Sequence, residues 1–442
     1  MEKNTVERFG LEPVPKEQKI TRWYEFSIIQ FSFSSNMANF LVPSLAVIQG
    51  GLSMGWALFS MMIGAALAHY LVSAMSYPGS RYSIPAQFAM RAMLGIKGAR
   101  YVSSPVRFLT SLYWFSVQII GGTLVIQALF EKMWNIHLPF LSISLTLGIF
   151  MSMLAVIGFD AVKNITRYGL PILIAGAVTM LYVFLTSELG NLTLANAWNP
   201  PTAMNTLKAK FFFAGLIFIQ FISDAGSSAD LARYAKTPKG AHWGLFIGNF
   251  FGFFLVAFIA TYAATASGEW NPYVSVYQAT TSLTAILLIF VSGMLAMVII
   301  NMYNAYAGGY SMLNSLPSLG RIRSTICFCL LGTFLSCFPV FVEEAKDYIS
   351  MIGYLLGPVI GVVAADFILI KKKTIDLQIL TGRYDYNKRA IIMIFLGVIL
   401  ALLLPESWIP GAIAFIVSSI GYSLWAMAAT RSQKSETSEL QG

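Results

Sequence analysis

The chain is a succession of apolar runs, many of them as long as the ~20 residues a helix needs to cross the hydrocarbon of a bilayer. The stretch LTAILLIFVSGMLAMVII, from Leu283 to Ile300, contains no charged residue at all. In such a medium every backbone N–H and C=O must be satisfied internally, so runs of this length are read as transmembrane helices. Composition agrees: 11% of residues are charged and 57% hydrophobic, against about 25% charged in soluble domains. The expected fold class is therefore an all-α polytopic membrane protein.

Apolar runs punctuated by charges, Gly and Pro place spans at roughly 23–48, 53–77, 101–130, 138–160, 165–187, 210–229, 242–267, 281–310, 322–340, 349–370, 389–404 and 408–430. The connections are too short for a separate soluble domain. One set of loops carries only Lys132, Lys208, Lys210 and Lys346, while the other loops and both tails carry the remaining Lys and Arg. Basic residues concentrate on the cytoplasmic side, so both termini are expected in the cytoplasm, which also requires an even number of spans. The net charge of +9 thus reflects topology, and nucleic acid is not an expected partner. The polar segment 1–22 has no apolar stretch of the kind a cleavable leader requires. Residues 85–98, intermediate in polarity, are expected along the cytoplasmic face, and residues 431–442 as a disordered cytoplasmic tail. Cys327, Cys329 and Cys337 fall inside one apolar run, which argues for small core residues rather than disulfides or a metal site.

Two spans look interrupted. The first, QFSFSSNMANFLVPSLAV, places Ser32, Ser34, Ser35, Asn36, Asn39 and Pro43 where a lipid-facing helix would have Leu and Val. The sixth, GLIFIQFISDAGSSADLARY, packs Gln220, Ser223, Asp224, Gly226, Ser227, Ser228 and Asp230 into eleven residues. Unwound backbone at membrane depth is tolerated only where protein or a watery cavity surrounds it. Breaks at corresponding places in two halves are the mark of a transporter built from inverted repeats. The repeats would run from about 23 to 187 and from 210 to 370, followed by two further helices over about 389–430, within a transmembrane domain spanning 23–430.

Chemistry that breaks bonds is poorly represented. The three histidines, His69, His137 and His242, show no metal spacing, and no phosphate loop or nucleophile elbow is present. The polar groups at depth are mostly amides and hydroxyls, which recognise ligands by hydrogen bonding. In the third span Trp114 and Gln118 lie at i, i+4 on one face, a stacking surface with a donor and an acceptor beside it. The pair suits a planar heterocycle, although packing aromatic and interhelical bond is the alternative. In the eighth span Asn301 and Asn304 lie at i, i+3, and either glue two helices or face a ligand. With Asn36 and Gln220 they bring amides from several spans to a similar depth. Asp224 is an intramembrane carboxylate, a functional candidate by default. It is read as a proton carrier or as a structural carboxylate on the N–H groups of the broken helix. Asp230 and Arg233 are expected to form a local ion pair or cap, and Glu25 and Asp366 to be solvated near span ends.

These residues resemble the nucleobase–cation symporter-1 family, and more closely its purine–cytosine permease branch. VERFGLEPVPKEQKIT from Val6 to Thr21 is similar to the branch's N-terminal signature. SSNMANF is similar to its first-span break, WFSVQIIGG from Trp114 to Gly122 to its third-span motif, ADLARYAK from Ala229 to Lys236 to the end of the sixth span, and NMYNAYAGG from Asn301 to Gly309 to the eighth. The resemblance implies the leucine-transporter arrangement of inverted five-helix repeats with alternating access. It implies a flat base stacked near Phe33 and Trp114, with its polar edge on Gln118, Asn301 and the stretch Gln220, Phe221, Ser223 and Asp224. Two departures stand out. The family's sixth-span Trp is absent, leaving Phe221 or a neighbour in its place. Sodium-coupled members carry Ser or Thr before the eighth-span Asn, where this chain has Ile299 and Ile300.

The expected function is secondary active import of a nucleobase such as cytosine or a purine across the cytoplasmic membrane, with no organic cofactor. The coupling ion is H+ or Na+, and the isoleucines favour the proton, with Asp224 as the coupling group. Allantoin, a hydantoin or a hydroxymethylpyrimidine is the alternative cargo. An integral-membrane enzyme lacks its nucleophile, and a passive channel does not need two broken helices. Oligomeric state is not legible.

Overall fold

The computed structural model describes residues 13–155, 159–187, 194–382 and 384–439. Among these the chain is helical throughout, with one isolated backbone bridge between Thr21 and Ala235. The first half of the N-terminal signature lies outside the described residues.

The first expected break is present and has a local cause. Helix α1 (Trp23–Ser34) and α2 (Met37–Ile48) meet at 58°. Asn36 between them is extended, at φ −124° and ψ 162°, and its side chain caps α2 by accepting from Asn39 N–H. An asparagine at this position satisfies one of the N–H groups that a new helix start leaves open. Pro43 sits inside α2. Helix α3 (Met54–Ala74) follows, then α4 (Ala86–Leu94), α5 (Ser104–Trp134), α6 (Phe140–Ala155) and α7 (Phe159–Thr186).

The sixth span is also broken. Helix α8 (Leu207–Ile222) gives way to a tight 3-10 turn over Ser223–Gly226. Ser227 turns out at φ −143°, and a short helix α9 (Ser228–Ala232) completes the crossing. Beyond it run α10 (Pro238–Ser267), α11 (Pro272–Ala279), α12 (Leu283–Ser315), α13 (Gly320–Leu335), α14 (Ala345–Ala364), α15 (Lys388–Leu403) and α16 (Pro410–Glu439). By length and apolarity nine helices among the described residues can cross a membrane, and the bent α1–α2 pair makes a tenth. The two remaining expected crossings correspond to α6 and α15, each of only 16 residues.

Two expectations need correction, and one segment is more deeply packed than its polarity suggests. Helix α4, in the segment expected along the cytoplasmic face, has every residue except Phe88 buried. Its polar side chains point into the protein, where Gln87 donates to Gly226 O at 2.8 Å and Arg91 donates to Asn314 Oδ1 at 3.2 and 2.7 Å. Asp366 is not solvated but 2% exposed, engaged by Lys371 and the Tyr422 hydroxyl. The segment after Thr430 continues α16 to Glu439 rather than ending it, since Gln, Lys and Glu favour helix and no Gly or Pro stops it.

The first half of span one is held against α10 by a glycine ladder. A Cβ at Gly248 would come within 2.4 Å of Ser27 O, and one at Gly252 within 2.8 Å of Ser34 Cβ. Small residues at that spacing let two helix backbones touch. They fix the open end of α1, and with it one wall of the cavity between the two breaks.

Candidate functional site

A narrow cavity of about 50 Å³ lies where the two broken spans face α5 and α12. Its walls contain Phe33, Asn36, Trp114, Gln118, Gln220, Phe221, Ser223, Asp224 and Asn304, so residues from four separate stretches of the sequence converge there. Asn301 stands one layer behind. It is fully buried, donates through Nδ2 to Phe115 O at 3.2 Å and accepts from Asn304 Nδ2 at 3.3 Å. It therefore orients Asn304, which is in the wall.

The amides form two relays that begin at the helix break. Ending α1 early frees carbonyls, and these must find donors. Asn36 Nδ2 donates to Phe33 O, and Asn39 Nδ2 donates to Ser34 O at 3.0 Å. Each asparagine then receives a cavity glutamine: Gln118 Nε2 donates to Asn36 Oδ1, and Gln220 Nε2 donates to Asn39 Oδ1 at 2.8 Å. Both glutamine amides are thereby fixed by their nitrogen ends. Their oxygens, Gln118 Oε1 and Gln220 Oε1, are buried and have no partner among the described residues. A buried acceptor left open costs about 1–3 kcal/mol, a cost that a donor reaching it would offset.

Aromatic rings line the same cavity. Phe33 stacks on Tyr303 with centroids 4.8 Å apart, and Phe221 is backed by His69 at 4.3 Å and Phe253 at 4.7 Å. Trp114 is set edge-on by Tyr113 at 4.8 Å. Phe221 lines the cavity on the sixth span, and Tyr303 adds a second ring that the sequence reading did not select. Ile300 is in the cavity wall and Ile299 is fully buried, so neither position offers a side-chain oxygen.

Asp224 has a partner that the sequence reading did not name. Arg107 Nη1 donates to Ser223 O at 2.7 Å and to Asp224 Oδ1 at 3.3 Å. The arginine side chain is 3% exposed, whereas that of Asp224 is 42% exposed because it borders the cavity. The signal was available: Arg107, Trp114 and Gln118 lie at i, i+7 and i+11, which is one face of a helix. Asp230 caps α4, accepting from Ala86 N–H at its start at 2.7 Å. Glu25 accepts from Arg22 N–H at 2.8 Å, capping α1.

The family model described as "Permease for cytosine/purines, uracil, thiamine, allantoin" matches residues 13–425. The allantoin permease of Bacillus subtilis is 25% identical, covering 90% of this chain and 87% of its own. The hydantoin permease of Microbacterium maritypicum is 21% identical over 92% of this chain and 88% of its own. Among solved structures, Mhp1, a nucleobase-cation-symport-1 family transporter in a closed conformation with bromovinylhydantoin bound, superposes with a TM-score of 0.78. It is 16% identical and covers 96% of both chains. The shared fold, the two broken spans and the match across nearly the whole sequence make this chain a member of that permease family, a multi-pass secondary transporter and not an enzyme.

Proposed function

We propose that the protein is a symporter that imports a cyclic ureide, allantoin or a hydantoin, across the cytoplasmic membrane with both termini inside. The observation that carries this reading is the pair of unpartnered acceptors, Gln118 Oε1 and Gln220 Oε1, on residues that line one cavity together with Trp114, Phe221 and Tyr303. A ring containing N–H, C=O and N–H in sequence presents two donors at its edge and flat faces for stacking, so it satisfies both oxygens while the aromatic rings cover it. Allantoin and hydantoins carry this edge, and the relatives named allantoin and hydantoin permeases favour the five-membered ring. Uracil and the oxidised purines carry the same edge on a six-membered ring, which keeps nucleobase cargo as the second reading, supported by the family description. Cytosine, whose ring N3 is an acceptor where the cyclic ureides and uracil carry an N–H, fits the two oxygens less well. The coupling ion in this proposal is the proton, because the positions of Ile299 and Ile300 supply no side-chain oxygen for a hard cation. Asp224 is the coupling carboxylate.

Ligand binding to the purified protein tests this directly. Trp114 borders the cavity, so its fluorescence reports a ring stacked against it. Saturable quenching by allantoin or hydantoin, lost in Trp114→Phe and weaker for cytosine, is the expected result. Tight binding of cytosine with none of the cyclic ureides would overturn the assignment.

A further inference from the structure

We propose that Arg107 is a positioning residue that competes with the coupling cation for Asp224, so that cation binding releases the break in the sixth span. The inference rests on the reading of Asp224 as the coupling carboxylate and names the group that makes its occupancy consequential. The geometry is asymmetric. The guanidinium is buried inside the bundle, its Nε and Nη2 have no partner, and Asp224 is its single carboxylate among the described residues. The carboxylate, by contrast, borders the cavity and is reachable from it. A cation arriving through the cavity therefore meets Asp224 first, and among the described residues Arg107 has no second carboxylate to turn to.

The same nitrogen that reaches Asp224 also holds Ser223 O, a carbonyl of the turn where the helix is broken. Neutralising or coordinating the carboxylate weakens one of two bonds made by one N–H-bearing atom, and the turn loses its charged anchor. The turn is otherwise tied on both sides: Gln87 of α4 donates to Gly226 O at 2.8 Å, and the Tyr303 hydroxyl of α12 donates to Ser227 Oγ at 2.9 Å. Span three, span eight and the α4 segment thus all grip the stretch Ser223–Ser227, and only the grip of span three depends on charge. The ionisable groups around the carboxylate are Arg107 from α5, Tyr303 from α12, whose hydroxyl is engaged on Ser227, and Asp230 from α9, which caps α4. Arg107 is the one cation among them.

The experiment is a cation titration of the purified full-length protein, read as thermal stability in detergent with sodium and with pH as separate arms, alongside transport in proteoliposomes. In the wild type one of the two cations shifts the melting temperature. In Arg107→Gln, with the competitor's charge removed, the midpoint of that titration moves by about tenfold or more in favour of the cation: to lower sodium, or to less acidic pH. Arg107→Lys, which keeps the charge, stays near the wild-type midpoint. In proteoliposomes Arg107→Gln loses gradient-driven accumulation while continuing to exchange labelled for unlabelled cargo. If Arg107→Gln fails to reach the membrane, the Arg107→Gln/Asp224→Asn double variant leaves neither charge unpaired, and its stability should respond to neither cation. Coincident midpoints for wild type and Arg107→Gln in both arms, or gradient-driven accumulation of wild-type size in the variant, would overturn the inference. Because the titration needs no cargo, it stands even where the cyclic ureide assignment fails.

Discussion

Replacing Gln118 with alanine probes the site where the fold and the recognition chemistry meet. In the structure Gln118 Nε2 holds Asn36, and Asn36 in turn holds Phe33 O at the end of α1, while Gln118 Oε1 awaits a donor. Truncation removes the open acceptor, so a bound ring N–H is left buried and unpaired. That costs about 1–3 kcal/mol, or about 5- to 150-fold in affinity at ~1.4 kcal/mol per decade. The fold should tolerate the change, because Asn36 Oδ1 still accepts from Asn39 N–H at 3.1 Å and Nδ2 still serves Phe33 O. The assay is equilibrium binding by Trp114 fluorescence together with membrane expression. A variant expressed near wild-type levels that binds at least several-fold more weakly is expected. Wild-type affinity in Gln118→Ala would refute the use of this oxygen by the ligand, and with it the reasoning from unpartnered acceptors.

Other substitutions separate direct from indirect roles. Asn304→Ala, in the cavity wall, should weaken binding more than Asn301→Ala, which acts only by losing the bond that orients Asn304; equal binding by both variants and wild type would count against an eighth-span contact. Tyr303→Phe keeps the ring on Phe33 but loses the bond to Ser227, so stability should fall by about 0.5–1.5 kcal/mol with the stacking wall intact, as thermal melting would show. Gly248→Leu forces a side chain into a space where even a Cβ lies 2.4 Å from Ser27 O; melting and size-exclusion profiles should report loss of the folded protein, and a stable monodisperse variant would contradict the close α1–α10 contact. Asn314→Ala strips the buried Arg91 of both its bonds to Oδ1, and hydrogen bonds to charged groups are worth about 1.5–3 kcal/mol, so expression and melting temperature should both drop.

The breaks were legible because polar residues in an apolar run leave few other readings. SSNMAN and SDAGSSAD each open within a residue or two of where the helix stops. Trp114 and Gln118 were legible because helical spacing alone puts them on one face. What the sequence did not show was pairing. Asn36 and Asn39 read as cavity polars, yet their first task is to satisfy the carbonyls that the break sets free, and only a tertiary arrangement shows which glutamine each one then holds. Arg107 was overlooked because it sits near the start of its span, where a snorkelling side chain is the default, although its register with Trp114 and Gln118 pointed inward. The burial of residues 86–94 was hidden for a related reason: Gln87 and Arg91 suggest a wet surface until Gly226 and Asn314, more than a hundred residues away, appear beside them.

Gradient-driven uptake of radiolabelled allantoin into proteoliposomes, with hydantoin, uracil and cytosine as competitors and with proton and sodium gradients imposed separately, is the most direct test of the central claim. Accumulation of allantoin above the external concentration under a proton gradient, inhibited by hydantoin more than by cytosine, is the expected result. Accumulation of cytosine but not allantoin, or no accumulation of any of these rings under either gradient, would contradict it.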